Sequence, residues 1–100
     1  MKQPQDCLNM QDIREAMDSL DRDIIEKFGR RFEYVKAAAK FKKNTEEVKA
    51  KERFDSMLKQ RRIWAVENNL SPDIIEQLYK ELVNYFINEE LQHWQREQNS

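Results

Sequence analysis

The residues best placed to do chemistry are basic side chains set into an otherwise apolar helical face. Between Ile13 and Lys42, helical spacing lines up Ile13, Met17, Leu20, Ile24, Phe28, Arg31, Val35, Ala38 and Lys42 on one side, so two cations interrupt an apolar stripe. Taking a charge out of water costs on the order of several kcal/mol unless an opposite charge compensates it, and few acids share that stripe. Arg14 flanks the stripe near its start, Arg53 opens the next helical stretch, and Glu90 breaks the apolar face of the last one. Each residue taken singly has an ordinary explanation: a long side chain reaching for the rim, or a pair with an acid of another helix. As a set, four cations and one acid suit a ligand with two carboxylates better than internal pairing. Such a group would hold and polarise an anionic substrate.

Other chemistries find little support. Cys7 is the single cysteine and His93 the single histidine, which leaves no intramolecular disulfide, no zinc spacing and no convincing triad, and no metal or cofactor is expected. The net charge of −1 supplies no general field for nucleic acid or an anionic membrane. No run of 18 apolar residues and no apolar leader is present, so the expected location is the cytoplasm.

The elements that must position these side chains are helical. A charged fraction of 37% beside 39% hydrophobic residues, with one Gly and two Pro, belongs to an amphipathic all-α protein. At 100 residues a single domain is expected. Residues 1 to 8 read as an extended arm. Asn9 can cap a first helix over about 10–42, and 43–50, polar and lysine-rich, reads as a loop. A second helix is expected over about 51–67, ended by Asn68 and Asn69, and a third over about 72–95, opened by Ser71, Pro72 and Asp73 and trailed by a polar tail. The first helix would be about 45 Å long, against about 34 Å for the width of a compact globule of this size. Its apolar stripe therefore needs a cover, and a second copy of the chain is the simplest one, which predicts an obligate homodimer. Gly29, in mid-helix, marks either a close approach of another helix or a tolerated substitution.

The same residues carry a family resemblance. The opening Lys2, Pro4, Asp6 and Cys7, the segment DIREAMDSLD from Asp12, the segment GRRFEYVKAA from Gly29, Lys42 after Phe41, Arg53 after Glu52, and Trp64-Ala65 with Glu67-Asn68 resemble the all-α chorismate mutases, and within them the isochorismate-pyruvate lyases that form salicylate in siderophore pathways. The resemblance covers nearly the whole chain. It implies three helices per chain in an intertwined homodimer, a dicarboxylate substrate (isochorismate or chorismate), and a pericyclic reaction that needs no nucleophile, metal or cofactor. It implies that Arg14 of the opposite chain and Arg31 grip carboxylates, that Lys42 lies against the ether oxygen, and that Arg53 adds an anion contact. Val35, Ala38, Met57, Phe86 and Ile87 would wall the ring.

Two positions depart from the family pattern. Phe54 stands where the mutases carry a glutamate for the ring hydroxyl, which favours isochorismate over chorismate. Glu90 stands where the lyases carry a glutamine, and it can donate to the ether oxygen only when protonated. A dedicated chorismate mutase is the enzymatic alternative. A helical homodimer that only binds a partner is the other.

Overall fold

The computed structural model describes residues 2 to 99, and these are helical with no strand among them. Four α-helices follow in order: α1 (Met10–Ala38), α2 (Thr45–Lys49), α3 (Lys51–Glu67) and α4 (Pro72–Asn99), with 3-10 turns at Pro4–Asp6 and Ala39–Phe41. The chain divides into two compact units, one ending at Tyr34 and one beginning at Val35.

In the first unit, Asn9 Oδ1 accepts the amide of Asp12 at 2.9 Å and starts α1 at Met10. Asp12 then reaches back: its Oδ2 accepts the Leu8 amide at 2.9 Å and Lys2 Nζ at 3.0 Å, which ties the N-terminal arm to the helix start. The 29 residues of α1 span about 43 Å. None of them is buried, and Met17, Leu20 and Ile24 of the apolar stripe remain 50%, 47% and 47% exposed. Beyond its own helical backbone and chain neighbours, no atom among the described residues lies within 4 Å of where a Gly29 Cβ would stand.

The first helix ends earlier than its periodicity suggests. After Ala38 the backbone tightens into the 3-10 turn, and Lys42 is extended (φ −92°, ψ 135°) rather than on a continuing stripe. Two competitors explain the stop. The Trp94 indole N–H donates to the Lys42 carbonyl at 3.1 Å, and Asn44 caps a new helix by accepting the Glu47 amide at 2.8 Å. The expected loop over 43–50 thus contains α2, whose Val48 is 2% exposed. Ala50 closes α2 in the left-handed region (φ 44°), a conformation costing a non-glycine residue about 1 kcal/mol, and its carbonyl accepts Phe54 N at the start of α3.

The core of the second unit lies where α4 packs on α3, with α2 and the 39–41 turn also against α4. Met57 and Leu58 of α3 meet Val83 of α4, flanked by Phe54, Tyr79 and Ile87. α3 ends where Asn68 N reaches the Trp64 and Ala65 carbonyls and Asn69 turns left-handed (φ 61°). Ser71 Oγ accepts Ile74 N and starts α4 at Pro72. α4 runs through the expected polar tail to Asn99, since Gln95, Arg96, Glu97 and Gln98 are good helix formers with no Gly or Pro to stop them.

The Leu8 amide, and beside it the Lys2 ammonium, hold the Asp12 carboxyl below the ordinary aspartate value. The arm's anchor is therefore present above that range and lost as the pH falls through the lowered value. Asp12→Asn is expected to speed hydrogen exchange of the Leu8 amide roughly tenfold, the weakening of a charge-assisted bond, while the α3 and α4 core amides keep their protection.

Candidate active site

Helical spacing along α4 places Val83, Phe86 and Glu90 on one side, and all three are buried. A carboxyl on that side is unusual, for Glu90 is 5% exposed and its Oε2 has no hydrogen-bond partner. Loss of water raises its pKa above the ordinary glutamate value, and the nearby Lys42 charge opposes that rise without cancelling it. Glu90 therefore keeps its proton to higher pH than an exposed glutamate, and a protonated carboxyl can donate as well as accept.

Lys42 is held at both ends. Its carbonyl takes the Trp94 indole, and its Nζ donates to the Glu47 carbonyl at 2.9 Å. An ammonium has three donors, so this contact leaves two for other acceptors. In its protonated form Glu90 would join the anchored Lys42 ammonium as a second donor, a pair suited to an oxygen that gains negative charge. Sequence reasoning missed Trp94, Asn44 and Glu47 in this arrangement. The run Asn44-Thr45-Glu46-Glu47 has the form of a capping box and was the signal available for two of them.

The other candidates lie as follows. Arg14 is exposed on α1, and Arg31 is half-buried with interactions inside the protein; both belong to the first unit. In the second unit, Val35 and Ala38 are half-buried, Arg53 is exposed in the first turn of α3, and Met57 and Phe86 are packed into the interior. Ile87 lines a cavity of about 330 Å³ with Phe54, Asn84, Asn88, Leu91 and the lysines at 49 and 51. Lys42 lines a different one of about 450 Å³, with Lys36, Lys40, His93, Trp94 and Glu97 among its walls. Within the second unit the Lys42 charge reaches Glu90, Ile87 sits beside the core, and Lys42 and Ile87 line different cavities.

Because the folded protein raises the Glu90 pKa, the stability linked to this group is complete below the ordinary glutamate value and is lost as the pH rises through the raised one. Glu90→Gln removes the titration. Thermal midpoints of parent and variant across pH 4 to 9 are expected to diverge, the parent losing ground as the pH rises and the variant keeping a flatter profile.

Known proteins bear on this arrangement. The family model described as chorismate mutase type II matches residues 13–91. An isochorismate pyruvate lyase of Pseudomonas aeruginosa is 42% identical over 96 residues, which cover 96% of this chain and 95% of that protein. A T-protein of Haemophilus influenzae is 36% identical over 72 residues, 71% of this chain and 19% of the relative. With the model spanning Arg14, Arg31, Lys42, Arg53 and Glu90, and the lyase aligned almost end to end, the chain belongs to the type II chorismate mutase family.

Proposed function

We propose that the protein is an isochorismate-pyruvate lyase with secondary chorismate mutase activity, working as a homodimer in the cytoplasm. The observation that carries the reading is the buried Glu90 carboxyl, unpaired at Oε2, beside an anchored Lys42. Near end-to-end similarity to a lyase supports the choice of reaction. Phe54 supports it too, since an apolar side chain next to Arg53 offers no acceptor for the ring hydroxyl of chorismate.

In the lyase reaction the ether C–O bond breaks while a ring hydrogen moves to the enolpyruvyl methylene, which becomes the methyl group of pyruvate. The ring becomes aromatic as salicylate, and no atom is left over. The protein's work is to hold a reactive conformation and stabilise the charge that grows on the ether oxygen. Lys42 supplies an ammonium to that oxygen, and neutral Glu90 donates a hydrogen bond to it. Arg31, with Arg14 contributed by the second copy, grips the carboxylates, and Arg53 adds a further contact. Val35, Ala38, Met57, Phe86 and Ile87 limit the motion of the ring.

The homodimer is supported by α1, which leaves its apolar stripe uncovered within one chain. It also brings Arg14 to a site on the other copy. Among the described residues no helix is long and apolar enough to cross a membrane.

Purified protein given isochorismate is expected to release fluorescent salicylate with a kcat/KM well above that for prephenate formation from chorismate. The reverse order would make it a dedicated mutase, and turnover of neither would leave a binding protein. With isochorismate, kcat is expected to fall as the pH rises through the Glu90 pKa, and Glu90→Gln to abolish that fall. An unchanged profile in the variant would remove Glu90 from the chemistry.

A further inference from the structure

We propose that Asn44 and Glu47 are positioning residues for Lys42, and that α2 exists to present one backbone carbonyl to its ammonium. This rests on reading Lys42 as the group at the ether oxygen. Glu47 is fixed at three points. Its amide donates to Asn44 Oδ1 at 2.8 Å, its Oε2 accepts the Lys43 amide at 2.6 Å, and its carbonyl accepts Lys42 Nζ at 2.9 Å. The residue that receives the lysine is thus the residue the cap immobilises.

The shape of α2 explains why that carbonyl is available. In a longer helix the Glu47 carbonyl would accept the amide four residues on, at Lys51. Here the helix stops at Lys49, and Ala50 turns left-handed with its amide on the Glu46 carbonyl. The Glu47 carbonyl is therefore one of the orphan acceptors of a helix end, and Lys42 takes it. A helix of five residues has almost no stability of its own, because nucleation is not repaid over so short a length. Its existence depends on the Asn44 cap, the Glu47 carboxylate and the buried Val48. Loss of the cap frees the carbonyl to move, and the ammonium, at the end of four flexible methylenes, moves with it.

Steady-state kinetics on isochorismate tests this with Asn44→Ala, Asn44→Ser, Glu47→Ala and Lys42→Ala. Asn44→Ala is expected to lower kcat roughly fivefold to tenfold with KM changed less than about twofold, the signature of an interaction realised in the transition state. Asn44→Ser, which restores a capping oxygen, is expected to recover kcat to within about twofold of the parent. Glu47→Ala keeps the carbonyl but loses the carboxylate anchor, and a fall in kcat in the same direction is expected. Amide exchange over 44–50 is expected to speed up in the two alanine cap variants and not in Asn44→Ser.

Three results would overturn the proposal. The first is an unchanged kcat in Asn44→Ala while Lys42→Ala loses most of its turnover, which rejects positioning but keeps Lys42 as the catalytic group. The second is a raised KM at constant kcat, which reduces α2 to a substrate cover. The third is undiminished turnover in Lys42→Ala, which removes the assignment of Lys42 and this inference with it.

Discussion

A carboxyl group moved from water into an apolar interior tends to hold its proton, while an ammonium nearby pulls the other way. Glu90 and Lys42 are set in that opposition, and burial prevails. Much of the second unit serves this balance. The α3 and α4 core buries the side of α4 that carries Glu90, the Trp94 indole pins the backbone of Lys42, and α2 receives its side chain. At the end of a first helix running to Lys42, the Lys42 carbonyl would be one of the acceptors left without a helical partner, and Trp94 of α4 supplies one. Leaving the helix at Ala38 allows α4 and α2 to hold it from two sides.

The first unit has a different physical character. α1 is well capped and its arm is tied down at Asp12, yet none of its residues is buried. Long helices draw most of their stability from packing of an amphipathic face, and Met17, Leu20 and Ile24 of this face remain about half exposed. A second copy is the proposed cover, and in that arrangement folding and assembly of the site become the same event. Concentration would then govern activity as well as stability.

The sequence was most informative where local chemistry acts alone. Asn9 before Asp12, and Ser71-Pro72-Asp73, signal helix starts, and both helices begin beside those residues. The second helix spans 51–67 in structure as in sequence, with the two asparagines closing it. Periodicity misled at Lys42, because a 3.6-residue repeat registers apolar spacing and carries no information about a tryptophan 52 residues away competing for a carbonyl. The segment 43–50 misled for a related reason: its one buried side chain, Val48, stands among polar neighbours and makes no pattern. Burial of Glu90 was legible as a break in an apolar face. Its unpaired oxygen was not, since hydrogen-bond satisfaction depends on which side chains the fold brings near. Arg14 and Arg31 were legible as cations on a helix, while the partners that would complete a site around them are not a property of one chain's sequence.

The protonation of Glu90 in the free protein is the most direct point of test. Site-resolved carbon NMR of the glutamate carboxyls, with Glu90→Gln used to assign the signal, reads it without substrate or turnover. Burial prevailing over Lys42 requires the Glu90 carboxyl to titrate above the ordinary glutamate value, and to rise further when Lys42→Ala removes the opposing charge. A signal titrating at or below the ordinary value would mean that the cation prevails over burial, which contradicts the account.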